Sequence, residues 1–270
     1  MFKVKEVPIH HPDYDKYPSS DGELMAETTR HARWIKTIDG NVRALTEGQD
    51  IFVASDLLWY PVEGRVNICK APDVMVAIGR PKGDRDTYLQ WLEDNVAPQV
   101  VFEIFSRTNH RRVNKENLLE FYTKYGVQEY YIYDPIRNTF TVYLRQGDKL
   151  TRLEGLQKWV SPLLGIRFEW SEKSFEIYRP NGERFLTFEE LEREKKYLER
   201  KASETEKQLK IAWLETETEV QKTKDAERKA AAEAQRAETE AQRAQAAENR
   251  QRLLEEKLRA MGIDPNAIGG

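Results

Sequence analysis

Two acidic residues stand where strand-forming runs call for Val or Ile. Asp73 opens the run in "PDVMVAIGR", residues 72–80, and Glu103 lies inside "VVFEIFSRTNHRRVNK", residues 100–115. If the two strands are neighbours, the carboxylates can converge on one cation, and two carboxylate oxygens with a backbone carbonyl suit a hard ion such as Mg²⁺. Without a cation, two buried carboxylates repel and their pKa values rise. Each acid also has a plainer reading on its own. Asp73, following Pro72, can satisfy local backbone groups at a strand start, and Glu103 can face solvent from an edge strand. Directly after Glu103 come Arg107, His110, Arg111 and Arg112, whose basic heads can hold phosphates beside a metal. Capping and solvation of a helix start would account for the same residues, although positive charge is unfavourable at that end. A second basic segment, "GRPKGDRDTYLQW", sets Arg80, Lys82 and Arg85 before Tyr88 and Trp91, and reads equally as a contact loop or as packing.

The elements that must position these residues are short and alternate in type. From Asp21 onward, Leu24, Thr28, His31, Ile35 and Ile38 recur near helical spacing, which predicts an amphipathic helix closed at Gly40. "DIFVASDLLWY", "DVMVAIG", "QVVFEIF", "EYYIYD" and "TFTVYL" are β-rich runs bounded by Pro, Gly or Asn, and predict strands. Between Ser106 and Gly126, the residues Val113, Leu118, Leu119, Phe121, Tyr122 and Tyr125 mark a helical face. A helix lying between "VVFEIF" and "EYYIYD" predicts a βαβ unit, with its two strands parallel and buried. "WVSPLLGIRFEW" and "SFEIYRPNGERF", punctuated by Pro162 and Pro180, predict a closing hairpin or edge piece. The expected fold class is α/β.

Composition sets the outer limits. One cysteine in 270 residues, Cys69, excludes an intrachain disulfide framework and a cysteine-rich zinc site, and fits a reducing cytosol. No window approaches 18 apolar residues and the first twenty have no signal-peptide pattern, so a cytoplasmic protein without membrane contact is expected. A formal charge of -3 gives no global pull toward nucleic acid, so any such binding must come from a local patch. Charged residues make up 33% of the chain and gather in its C-terminal third. From Phe188 to Met261 there is neither Pro nor Gly, which predicts one long helix. Heptad pairs appear at Leu191 and Leu198, at Trp213 and Val220, and at Leu254 and Met261, with alanines between, so the segment reads either as a thin coiled coil joining chains or as a solvated single helix. The expected division is an irregular arm over 1–20, a globular domain over 21–187, the helix over 188–261 and a frayed tail over 262–270.

The order "APDVMVAIG", "VVFEIFSRTN", then a helix running into "YGVQEYYIYDP" and on to "WVSPLLGIRF", resembles the Uma-type restriction-endonuclease family, a branch of the PD-(D/E)XK nuclease-like superfamily. The likeness runs from about Ser20 to Leu191. It implies a restriction-endonuclease-like mixed sheet flanked by helices, and a candidate Mg²⁺-dependent nuclease acting on DNA, with Mn²⁺ as a possible alternative ion. Asp73 and Glu103 fall on the family's two acidic positions, and Glu27 matches an accessory acid in the first helix that also reads as a surface glutamate. The resemblance implies a metal held by Asp73, Glu103 and the carbonyl of Ile104. It departs at the catalytic lysine: the superfamily position two residues after the glutamate is Phe105, and the Uma-type position on the following helix is Leu118, beside Asn117. Lys115, one turn earlier, is the candidate substitute, with a plain solvated lysine as its other reading. The alternative is a nuclease fold that has lost catalysis and serves as a DNA-binding or scaffold module, associating through its helix.

Overall fold

The computed structural model describes residues 13, 16–19, 28–105 and 115–262, with Lys115 described by its backbone. The chain forms two compact units, Met1–Arg193 and Glu194–Gly270.

Helix α1, Thr29–Leu45, starts where the Thr28 side chain accepts a hydrogen bond from the His31 N–H at 3.3 Å. Such a cap contributes about 1 kcal/mol. His31, Ile35, Ile38 and Val42 are buried along one stripe. The helix does not close at Gly40. That residue lies inside it, because the apolar stripe continues through Val42 and the end comes at Thr46, whose N–H returns to Val42 and whose hydroxyl donates to the same carbonyl at 2.9 Å.

Strands β1 (Ile51–Ala54), β2 (Trp59–Tyr60), β3 (Val74–Ile78), β4 (Tyr88–Leu89) and β5 (Val100–Ile104) follow. The run "DIFVASDLLWY" is therefore two strands rather than one. Asp56 takes a positive φ of 51° between them, which an aspartate accepts more readily than most residues. Helix α2, Lys115–Lys124, ends at Gly126, whose φ of 100° lets the Val127 N–H return to the Tyr122 carbonyl at 3.1 Å. Then come β6 (Glu129–Asp134), β7 (Thr139–Gln146), β8 (Lys149–Leu153), β9 (Lys158–Val160), β10 (Arg167–Trp170) and β11 (Phe175–Tyr178).

Among the described residues the main sheet has six strands in the order β1-β3-β5-β6-β7-β8. Only β5 and β6 run parallel within it, and α2 is their crossover, as the βαβ reading requires. Strand alternation sorts the core. Val74, Val76, Val100, Phe102 and Ile104 face α1 and the three-stranded sheet β11-β10-β9, while Met75, Ala77, Val101, Tyr130 and Ile132 face Leu118 and Tyr122 of α2. The protein is thus a mixed, mostly antiparallel sheet flanked by helices. Helix α3, Phe188–Ala260, runs 73 residues, and its apolar positions, Leu198, Trp213 and Leu254 among them, are exposed in the single chain. Among the described residues, no helix is long and apolar enough to cross a membrane.

Candidate active site

Asp73 sits immediately before β3, and Glu103 is the fourth residue of β5, the neighbouring antiparallel strand. Val74 pairs with Phe102, so continuing that register by one residue sets Asp73 opposite Glu103. Residues directly opposite on an antiparallel pair project from the same face of the sheet. Both acids are buried, at 7% and 8% exposure, and β5 lies in the middle of the sheet, so Glu103 is not a solvent-facing edge residue.

Each carboxylate is fixed by a donor from another element. Beyond the start of β3 the Ile104 N–H lacks a ladder partner, and Asp73 Oδ2 accepts it at 2.5 Å. His31, from the first turn of α1, brings its Nε2 to 3.2 Å from the same oxygen. A strand residue presents its N–H and C=O on the same side, so the Ile104 carbonyl faces the gap that Asp73 borders. Glu103 Oε1 accepts the Tyr122 hydroxyl of α2 at 2.6 Å.

The electrostatics follow from this packing. Burial pushes the Glu103 carboxyl well above the usual range, and the Asp73 charge pushes it further in the same direction. The Tyr122 hydrogen bond opposes both, Asp56 adds to the upward push, and Lys70 pulls downward. The Tyr122 hydroxyl is raised well above its ordinary value, first by burial and then by Glu103. Asp73 and Glu103 thus set two carboxylates on one face of the sheet, beside the Ile104 carbonyl. Mg²⁺ is commonly held by one or two carboxylates, with waters and substrate phosphates completing its shell. Among the described residues there is no group of three or more His, Cys, Asp or Glu placed to hold a metal ion.

The other expected site residues are distributed differently. Glu27, Arg107, His110, Arg111 and Arg112 lie outside the described residues, and Lys115 begins α2. Phe105 and Leu118, the two positions where the family pattern wants lysine, are buried and share one apolar cluster with Tyr122. Arg80 and Arg85 do not form a phosphate-contact loop. Arg80 is buried against Glu93 at 2.9 Å and Asp94 at 2.5 Å, and Arg85 is bound to Glu93 at 2.5 Å, while Lys82 pairs with Glu47 at 2.6 Å. Tyr88 and Trp91 behave as packing residues: Tyr88 stacks on Phe52 and Trp91 tilts against Tyr17. Sequence reasoning missed His31 as a partner of Asp73. Its signal was a polar residue on the apolar stripe of α1.

The family model described as "Putative restriction endonuclease", Uma2, matches residues 7–174. Among the curated proteins, none matches this sequence. Among solved structures the chain is similar to the crystal structure of a putative nuclease belonging to DUF820 from Anabaena variabilis. The two are 17% identical with a TM-score of 0.40, over 55% of this chain and 86% of that one. The family match spans well over half of the 270 residues, from before α1 to the turn ahead of β11, and encloses the acid pair with the helices and strands that hold it; this chain belongs to the Uma2 family.

Proposed function

We propose that the protein is a Mg²⁺-dependent endonuclease that hydrolyses DNA phosphodiester bonds in the cytoplasm, with Mn²⁺ able to replace Mg²⁺. One observation carries the reading: the β3–β5 register sets two buried carboxylates, Asp73 and Glu103, on one face of the sheet. Asp73, Glu103 and the Ile104 carbonyl would hold the ion. A bound divalent ion polarises a phosphoryl oxygen and makes its own water more acidic. The chain's part is to keep the donors in place: the Ile104 N–H and His31 orient Asp73, and the Tyr122 hydroxyl orients Glu103. Such supporting contacts matter, since their loss typically costs 10–100-fold in metal affinity. Phosphate binding is assigned to Arg107, His110, Arg111 and Arg112. Residues 188–261 are assigned to association between chains through their heptad positions.

A second reading, a nuclease fold that binds DNA or scaffolds without cutting it, is favoured by Phe105 and Leu118, buried where lysine is expected. Titration calorimetry with Mg²⁺ and Mn²⁺, paired with cleavage assays on supercoiled, linear and single-stranded DNA, separates the two. The nuclease reading expects a divalent site and cleavage, with Asp73→Asn and Glu103→Gln each lowering turnover by at least ~10²-fold. DNA binding without metal uptake or cleavage would establish the second reading instead.

A further inference from the structure

We propose that Lys70 supplies the cation of the acid pair, in the role that the family pattern gives to a lysine at position 105 or 118. The inference rests on the nuclease reading above and names a residue that the motif order does not contain.

Position is the first ground. Lys70 forms an isolated antiparallel bridge with Trp59, whose N–H donates to the Lys70 carbonyl at 2.8 Å, while the Lys70 N–H returns to Trp59 at 3.2 Å. Directly bridged residues project from the same face, so Lys70 shares the side on which Trp59 lies. Trp59 is fully buried and stacks parallel to Tyr122, with ring centroids 6.3 Å apart and planes 1° from parallel. Tyr122 in turn donates to Glu103. Three residues after Lys70 the chain reaches Asp73, and the intervening segment is held by the Asp56 N–H, which donates to the Pro72 carbonyl at 3.1 Å. Lys70 is thereby tied to both acids, to Asp73 along the chain and to Glu103 through Trp59 and Tyr122.

Availability is the second ground. Lys70 is half-buried, and among the described residues it forms no ion pair. Arg80, Arg85 and Lys82 are all engaged by carboxylates, and Arg145 is engaged by the Val127 and Thr123 carbonyls.

The role is electrostatic. In the hydrolysis a water oxygen bonds to phosphorus, and the bond from phosphorus to the leaving sugar oxygen breaks. One water proton ends on that sugar oxygen and the other leaves the new phosphate monoester to solvent or stays with it, as the pH dictates. Lys70 takes no part in these proton transfers. Its fixed charge offsets the negative charge that builds on the attacking and phosphoryl oxygens, a contribution of the kind whose removal costs about 10²–10³ in rate.

The test uses the full-length chain with Lys70→Met and Lys70→Arg. Metal affinity is measured by calorimetry with Mn²⁺ in the absence of DNA, and cleavage is measured under single turnover with saturating Mn²⁺. Lys70→Met should slow cleavage by ~10²-fold or more, while its Mn²⁺ affinity stays the same or tightens, because a positive charge has left the neighbourhood of the ion. Lys70→Arg should recover part of the rate. If Lys70→Met cleaves like wild type, the proposal fails while the nuclease reading stands. A Lys70→Met variant that loses Mn²⁺ binding together with cleavage would make Lys70 a structural residue, and overturns the proposal too. Wild-type protein that neither takes up Mn²⁺ nor cuts DNA removes the nuclease reading itself, and the proposal with it.

Discussion

A buried acid held in its charged form next to another acid is a source of instability that a metal-free protein must carry. Burial and Asp73 raise the Glu103 pKa in the folded state, so the folded protein binds a proton there more tightly than the unfolded chain does. Stability tied to this group is therefore complete below the ordinary carboxylate value of about 4.3, and is lost as pH rises from there toward the raised folded value. Glu103→Gln removes that loss and leaves an oxygen to accept the Tyr122 hydroxyl. In chelator at pH 7, the variant should melt above wild type, by about 2–4 °C for each kcal/mol relieved, and the gap should close near pH 4. A variant that melts lower at pH 7 would show that Glu103 is stabilising as it stands. The pairing of Asp73 with Glu103 was legible in the sequence because both acids interrupt runs that otherwise want apolar residues. The approach of His31 was not. It depends on where α1 begins, and a helix cap leaves no periodic trace.

Glycine has opposite meanings in the two helices that flank the sheet. Gly40 lies inside α1, and a Cβ built on it meets no atom within 4 Å, so Gly40→Ala should stabilise the protein by roughly 0.5–1 kcal/mol. Gly126 ends α2 at a φ of 100°, and a Cβ there would lie 3.4 Å from the Ala97 side chain. Gly126→Ala should cost ~1–2 kcal/mol. Urea melts of the two variants check both signs at once, and equal effects would mean that backbone conformation is not what distinguishes the sites. The same pair explains a boundary that sequence reading misplaced. A glycine near the end of an apolar stripe looks like a terminator, but in α1 the stripe runs on to Val42 and in α2 it does not run past Tyr125. The parallel β5–β6 pair with its crossover helix was legible from the change of hydrophobic period alone. Strand β8 was not, because "KLTRL" at the sheet edge buries only Leu150 well and carries polar residues on the other side.

At the scale of the molecule, the long helix carries apolar residues that the single chain leaves exposed, Trp213 and Leu254 among them. If these positions join chains as assigned, Trp213→Glu combined with Leu254→Glu in the full-length protein should reduce the mass in light scattering to that of one 31.7 kDa chain. Equal masses for variant and wild type would remove the case for association through this helix. The composition of the segment made a helix certain and its partner illegible, since alanine-rich stretches between the heptad pairs suit a seam or solvent equally well.

The parallel pairing of β5 with β6 also orders events in a chain that is still being made. Asp73 and Glu103 leave the ribosome first, while Tyr122 and β6 lie on the crossover and beyond it. Until that crossover has emerged and folded back, β5 has one neighbour instead of two, and its Glu103 face is open to water. Two acids in that setting are ordinary hydrated carboxylates, far apart in effect because solvent screens them. Closure of α2 over the sheet dries them, fixes Glu103 through Tyr122 and forces the two charges to contend with each other. The acid pair is thus unassembled in a chain that has not yet reached β6, and it takes its folded form only once Tyr122 holds Glu103.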